Sequence, residues 1–172
     1  MDLGDAVSAE LTDQPDLLVK LLERLLVAAA RAGAGYTVAT DTSPAAAACA
    51  SANVHRHNLT SRVAVYNAEF VPPNMQGSFD LVVCNPPYFR GTPRDYAQAA
   101  YMAGENLEWF ERFTRAASPV LAANGRVLMV LSDAADIHAI GHSLTNLGWI
   151  YQVVARRDIL IEVMYILELK RS

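Results

Sequence analysis

Hydrophobic residues recur along this chain at helical spacing in some stretches and as short continuous runs in others. Leucines that repeat at helical spacing predict a helix over residues 12–32, which Gly33 and Gly35 end. Further helices are predicted over residues 44–57, 107–121 and 133–147, and strands over residues 36–40, 62–66, 81–84, 126–131, 149–154 and 163–169. This alternation predicts an α/β fold, in which a doubly wound, mostly parallel sheet carries helices on both faces.

Polar stretches are predicted to separate these elements. Asn124 and Gly125 are expected to close the helix over residues 107–121. Residues 155–162 are expected to join the last two strands into an antiparallel hairpin at one edge of the sheet. Residues 90–104 carry glycine, proline and tyrosine among polar residues, and this composition fits either a loop or a short helix.

Composition narrows the class of protein. A chain of 172 residues, 52% of them hydrophobic, fits a single domain over residues 1–172 with a two-sided sheet core. The net charge of −4 argues against a broad basic surface for nucleic acid, although it leaves room for a local patch. No apolar run reaches the roughly 18 residues of a membrane span, and the N-terminus lacks the basic start of a secretory signal. We therefore expect no membrane partner and a cytoplasmic location.

Cysteine and histidine give no sign of a metal centre. Cys49 and Cys84 both lie in apolar surroundings and are expected to be reduced, buried thiols. The chain has four histidines, which lack the spacing and the third ligand that a zinc site needs. No metal site is predicted.

The chemistry of the chain is concentrated where the apolar run over residues 81–84 stops. Asn85 follows the run directly, then two prolines, Pro86 and Pro87, and then Tyr88. Proline lacks a backbone N–H and has a fixed φ, so the strand ends there in a rigid turn. The carboxyl ends of strands are where open α/β sheets bind ligands. An amide, rigid carbonyl groups and a flat phenol suit a planar amide or amine.

Residues 85–88 resemble the Asn-Pro-Pro-Tyr motif of class I S-adenosylmethionine-dependent methyltransferases, which methylate nitrogen atoms of planar groups. The order of elements from residue 36 onward resembles the Rossmann-like fold of these enzymes. The resemblance implies catalytic roles for Asn85, Pro86, Pro87 and Tyr88. The Asn85 side chain and the Pro86 carbonyl would accept hydrogen bonds from the target nitrogen, and Tyr88 would stack on the planar group.

The resemblance also implies residues that hold the methyl donor. Asp41 and Thr42 follow the strand over residues 36–40, where the family places an acid that binds the ribose hydroxyls. An Asp at this position could instead cap the helix that begins at Pro44. Ala68 and Glu69 follow the next strand, where the family binds the adenine amino group, although Glu69 also fits an ordinary loop carboxylate. Asn85, directly after the strand over residues 81–84, completes this set.

The family's first strand ends in a glycine-rich turn, and residues 1–35 depart from that pattern. Gly4 follows an acid near the chain start, but it stands far from Asp41. Gly33 lies directly against the second strand, which leaves no room for a strand, turn and helix. Gly4 is the better candidate for the turn that approaches the methionine part of the donor. The first strand is thus either degenerate or missing.

Within the family, the chain most resembles the release factor glutamine-N5 methyltransferases, the HemK-like group. The full tetrapeptide, the acidic net charge and a glycine at Gly104 carry this likeness. It implies S-adenosylmethionine as cofactor, a translation release factor as protein substrate, and a small activating protein as a candidate partner. The alternatives are an adenine-N6 methyltransferase of RNA or DNA, and a non-catalytic subunit that scaffolds another chain.

Overall fold

A computed structural model describes residue 29 and residues 33–72, 74–159 and 162–172. The predicted helix over residues 12–32 lies outside the described residues except for Ala29, which is helical. Gly4 also lies outside them. The chain divides into two compact units, Met1–Val71 and Pro72–Ser172.

The described part of the first unit is a strand–helix–strand segment. Its elements are β1 (Thr37–Asp41), α1 (Pro44–Arg56) and β2 (Val63–Asn67), and the two strands pair in parallel. Pro44 opens α1, and the Ser43 hydroxyl caps it by accepting from the Ala46 N–H at 3.4 Å. Ala50 and Val54 of the helix pack with Val63 of β2 in a small core. The predicted order of elements is confirmed here.

The second unit contains four strands and three helices among its described residues. They are β3 (Phe79–Cys84), α2 (Tyr96–Ala99), α3 (Glu108–Val120), β4 (Leu121–Ser132), α4 (Ile137–Asn146), β5 (Trp149–Ile159) and β6 (Glu162–Arg171). The strand order is β3-β4-β6-β5, with β3 parallel to β4 and with antiparallel pairing of β6 to both β4 and β5. The α/β class and the antiparallel C-terminal hairpin are therefore confirmed.

The core of the second unit lies between this sheet and the helices α3 and α4. Fully buried side chains come from both layers: Phe110, Val127, Met129, Leu131, Ile140, Leu144, Leu167 and Leu169. Each leucine buried in this way stabilises the fold by about 1.5–3 kcal/mol relative to an exposed one. This core fixes β4, and so it fixes the polar residues at the carboxyl end of that strand.

The prediction that Asn124 and Gly125 close a helix was wrong. The helix α3 ends at Val120, one residue after Pro119, and Asn124 and Gly125 lie within β4. The pairing of β3 with β4 shifts register here, and a Cβ on Gly125 would lie 2.6 Å from the Phe79 carbonyl oxygen. The glycine thus permits a close approach of two strand backbones, rather than a helix end.

Two further boundaries were also wrong. The helix predicted from Asp133 begins at Ile137, because Asp133 is joined to β6: its N–H donates to the Val163 carbonyl at 2.9 Å and its carboxylate accepts from the Val163 N–H at 3.2 Å. The stretch 155–162, predicted as a connection, is mostly strand, since β5 and β6 stay paired up to Ile159 and Glu162. A bulge between Val153 and Ala155 interrupts the pattern that marks a strand in sequence.

Cys84, the last residue of β3, offers a test of this packing. Burial raises the pKa of the Cys84 thiol to about 12, although the residue as a whole keeps partial exposure. Because the thiolate is the reactive form, Cys84 should react with a thiol reagent at about pH 8 on the order of a thousandfold more slowly than a free cysteine. The variant Cys49→Ser isolates Cys84, and the same variant in denaturant serves as the control. Rapid labelling of the native variant would contradict the burial.

Candidate active site

The motif predicted from the sequence lies at the carboxyl end of β3, where it forms a turn with no strand pairing. Pro86 and Pro87 are buried, whereas Asn85 is exposed. The Asn85 side-chain amide makes no hydrogen bond with any other residue that the structure describes. The two prolines therefore anchor the turn, and the amide remains available to a ligand with its acceptor and both its donor hydrogens.

The Tyr88 side chain is half-buried and is held at its hydroxyl. The Tyr88 and Ser132 hydroxyl groups are 3.0 Å apart and share a hydrogen bond. Ser132 is the last residue of β4 and is 0% exposed. Because β3 and β4 are parallel and Cys84 pairs with Met129, Ser132 lies beyond the end of β3, on the side where the motif turn leaves the sheet.

The surroundings of Tyr88 keep its phenol protonated. Burial raises the pKa of Tyr88 above its usual value, and the carboxylates of Glu162 and Asp133 raise it further. The hydrogen bond with Ser132 acts in the opposite direction but is outweighed. The ring is therefore a neutral, flat surface rather than a base or a nucleophile.

The backbone after Tyr88 is bound to a second segment of the same loop. The Tyr88 and Phe89 N–H groups both donate to the Tyr101 carbonyl, at 3.1 and 2.9 Å. The Ala103 N–H donates to the Phe89 carbonyl at 2.7 Å. These bonds form a short ribbon between residues 88–91 and 101–104, which the sequence placed only in a loop or short helix. The short helix α2 lies between the two halves of the ribbon.

Aromatic side chains gather on this ribbon. The Tyr88 and Phe89 ring centroids are 4.8 Å apart, and those of Phe89 and Tyr101 are 6.5 Å apart with the rings edge to face. Phe89 is 42% exposed, and Tyr96 on α2 is 69% exposed. The motif turn is thus bordered by apolar, planar surface open to solvent.

Asp41, the predicted ribose ligand, is the last residue of β1. One carboxylate oxygen accepts from the Ser43 N–H at 2.8 Å and so closes the turn before α1, whereas the cap of α1 is the Ser43 hydroxyl rather than Asp41. That bond occupies only one of the roughly four acceptor positions of a carboxylate, so the remaining ones can take a pair of hydroxyl groups. Asp41 is partly exposed and Thr42 beside it is exposed.

The carboxyl ends of β1 and β2 are joined by an asparagine that the sequence analysis did not single out. The Asn67 side-chain amide donates to the carbonyl groups of Asp41 and Thr42, both at 2.9 Å. The Ala68 N–H also donates to the Asp41 carbonyl, at 3.0 Å. Asp41 and the segment that carries Ala68 and the exposed Glu69 therefore lie at one edge of this strand pair.

Asn67 and Ser132 are the two supporting residues that sequence reasoning missed. Each is a polar residue at the carboxyl end of a predicted strand, which is the signal that could have identified them. Among the described residues, no group of three or more His, Cys, Asp or Glu side chains is placed to bind a metal ion. None of the helices described is both long and apolar enough to cross a membrane.

The fold is a Rossmann-like α/β fold with an antiparallel C-terminal hairpin. Polar residues lie at the carboxyl ends of its parallel strands. These features are those of a class I methyltransferase. The model of the Methyltransferase small domain family matches residues 25–158. The chain belongs to this family, whose methyltransferases use S-adenosylmethionine.

Curated relatives agree with the family. A protein named bifunctional methyltransferase from Rickettsia typhi is 27% identical over 139 residues, and its counterpart from Rickettsia prowazekii is 26% identical over the same length. Each match covers 73% of this chain and 27% of the relative. The chain therefore spans about a quarter of the length of these relatives.

Solved structures share the fold. A methyltransferase from Pyrococcus furiosus aligns over 80% of this chain and 64% of its own, with a TM-score of 0.57 and 19% identity. A ribosomal protein L11 methylase from Lactobacillus delbrueckii aligns over 87% and 65%, with a TM-score of 0.59 and 18% identity. The hMettl16 catalytic domain, in complex with a 3′UTR hairpin, aligns over 83% and 57%, with a TM-score of 0.61 and 16% identity. At these identities the likeness is one of fold.

Proposed function

We propose that this protein transfers the methyl group of S-adenosylmethionine to a planar nitrogen, and that its acceptor is a glutamine side chain of a protein of the translation release factor type. The observation that carries the proposal is the exposed Asn85 amide beside the anchored Tyr88 ring at the carboxyl end of β3. The methyl donor is inferred from the family, whose methyltransferases use S-adenosylmethionine.

The residues that follow β3 suit an amide as the group that accepts the methyl. The Asn85 side-chain oxygen accepts one hydrogen of the target nitrogen, and the Pro86 carbonyl accepts the other. Both bonds draw electron density toward the nitrogen and orient its lone pair, while the Tyr88 ring stacks on the flat group. Catalysis then rests mainly on positioning. The protonated Tyr88 fits this role, since the nitrogen can lose its proton after the attack without a strong base.

The residues at the ends of β1 and β2 fit the methyl donor. S-adenosylmethionine supplies an electrophilic methyl group on a nucleoside carrier. Asp41 keeps carboxylate acceptor positions for two ribose hydroxyls beyond its bond to the Ser43 N–H. Thr42 lies beside it, and Ala68 and Glu69 are assigned to the adenine group. Asn85 and Gly4 complete the proposed donor set, the latter outside the described residues.

Charge around Tyr88 favours a protein acceptor. The carboxylates of Asp133 and Glu162 both act on the Tyr88 hydroxyl, and the whole chain carries a net charge of −4. Negative charge repels the phosphates that supply much of the affinity for nucleic acid. A neutral glutamine amide meets no such repulsion.

Adenine is the second candidate acceptor, and a specific observation favours it. Phe89 and Tyr96 are 42% and 69% exposed, and Arg94 lies exposed beside Tyr96. Aromatic rings and arginine next to the motif turn offer a stacking surface for a nucleobase. The amide of Asn85 would serve an adenine amino group by the same hydrogen bonds.

The experiment offers methyl-tritiated S-adenosylmethionine with a release factor in one reaction and with tRNA or rRNA in another. We expect label in the protein, and we expect Asn85→Ala to slow its incorporation by about 10²–10³-fold. Label in RNA alone would replace glutamine with adenine as the acceptor. Calorimetry with S-adenosylmethionine runs beside it, and an absence of binding at millimolar concentration would favour a non-catalytic subunit. Repeating the assay with a small activating partner protein tests whether one is needed.

A further inference from the structure

We propose that Ser132 is a positioning residue of the acceptor site, which holds the Tyr88 ring at the angle that an incoming planar group requires. The inference rests on the role proposed above for Tyr88, and it assigns a function to a residue outside the motif. Ser132 is far from Tyr88 in sequence but shares a hydrogen bond with it at 3.0 Å.

The ring of Tyr88 is fixed at both of its ends. At the backbone, the Tyr88 N–H donates to the Tyr101 carbonyl, which joins Tyr88 to the opposite half of the ribbon, residues 101–104. At the far end, the phenol oxygen is bonded to Ser132, whose own backbone lies in β4. Neighbouring Phe89 contacts the ring from the side, with centroids 4.8 Å apart. Loss of the Ser132 bond would leave the ring free to rotate about its side-chain torsions.

Ser132 is itself held firmly. It is 0% exposed, and its hydroxyl oxygen accepts from the Ala134 N–H at 3.2 Å. A serine hydroxyl has one hydrogen and two acceptor positions, so the bond to Ala134 leaves the hydrogen and one acceptor for Tyr88. The deep burial of Ser132 shields its own hydroxyl from bulk solvent. Ser132 therefore holds the Tyr88 phenol in a fixed position relative to β4, a strand of the core.

The consequence for catalysis follows from the sensitivity of transfer reactions to geometry. A misplacement of about 1 Å can cost on the order of a hundredfold in rate. A single neutral hydrogen bond contributes about 0.5–1.5 kcal/mol, which corresponds to roughly a tenfold change in rate at its upper limit. We therefore expect Ser132→Ala to lower kcat by about tenfold and to leave the KM for S-adenosylmethionine unchanged.

A double-mutant cycle separates this role from a merely structural one. Tyr88→Phe keeps the ring and removes only the hydroxyl, and it should lower kcat as much as Ser132→Ala does. The double variant should be no slower than either single variant, because both remove the same bond. If the two losses multiply to about a hundredfold, Ser132 acts through the Ala134 turn instead and the proposal is wrong. An unchanged kcat in Ser132→Ala would also overturn it.

A second measurement does not depend on activity. Tyrosine labelled with ¹³C at the ζ carbon reports the titration of Tyr88 by NMR, with Tyr88→Phe assigning the signal. Since the bond to Ser132 lowers the pKa of Tyr88, Ser132→Ala should raise it. An unshifted titration would show that Ser132 does not hold the phenol. If the wild type transfers no methyl group to any acceptor, the proposed function fails, but this titration still decides the contact. Should Ser132→Ala fail to fold, a Tyr88→Phe variant with unchanged kcat would refute the proposal.

Discussion

Replacing Asn85 with alanine is expected to lower kcat for methyl transfer by about 10²–10³-fold, the size of effect seen when one preorganised hydrogen-bonding group is removed from an active site. Asn85 lies exposed at the end of β3, beside two buried prolines that fix its position. Alanine retains the turn and loses the oxygen that orients the target nitrogen. Steady-state kinetics with saturating S-adenosylmethionine measure the loss, and thermal unfolding should show little change because the side chain is exposed.

Asn124→Ala is the matched control for this variant. Asn124 is also an exposed asparagine of the second unit, and it lies in β4 near the start of the strand rather than at its carboxyl end. We expect wild-type kinetics from it. Equal losses in the two variants would mean that Asn85 has no special role in the reaction.

Replacing Asp41 with alanine is expected to weaken binding of S-adenosylmethionine by about 10–100-fold. Hydrogen bonds to charged groups contribute about 1.5–3 kcal/mol, and a ribose offers two hydroxyls to this carboxylate. Asp41 also accepts from the Ser43 N–H at 2.8 Å, so alanine removes this turn contact as well. Calorimetry of the wild type and the variant gives the ratio of the two dissociation constants.

Asp41→Asn separates the two roles of the carboxylate. Asparagine keeps an oxygen for the Ser43 N–H but removes the charge, so the turn should persist while binding of the methyl donor still weakens by about tenfold. Asp136→Asn is the control, since Asp136 caps α4 by accepting from the Ala139 N–H at 3.0 Å. If Asp41→Asn binds as tightly as the wild type, Asp41 serves only the turn before α1.

The strands that carry the proposed site residues were predicted from the apolar runs that precede those residues. The strand before Asn85 and the strand before Asp41 were both predicted, because a continuous apolar stretch followed by a polar residue marks the end of a strand. The strand before Asn85 is less buried than its apolar run suggests, since Leu81 and Val83 are 41% and 47% exposed. The helix cap at Ser43 and the role of Pro44 followed from local rules in the same way. These features depend on neighbours in sequence.

Contacts of single residues with distant segments were not predicted. Gly125 was taken for a helix end because its neighbours in sequence look like one, yet its reason is the Phe79 carbonyl on another strand. Ser132 was passed over because nothing near it in sequence indicates Tyr88. The ribbon between residues 88–91 and 101–104 likewise arises from backbone bonds across a loop. Sequence reasoning therefore predicted the strand end that carries the proposed acceptor residues, but not the contacts that hold Tyr88 in place.

Mass spectrometry of the acceptor shows which atom receives the methyl group. The wild-type protein is incubated with S-adenosylmethionine and a release factor, the acceptor is digested, and fragment ions locate the added methyl group. We expect a single methyl group on the side-chain nitrogen of a glutamine, formed about 10²–10³-fold more slowly when Asn85→Ala replaces the wild type. A methyl group on any other atom of the protein, or a methyl group found only on adenine of an RNA offered in parallel, would contradict it.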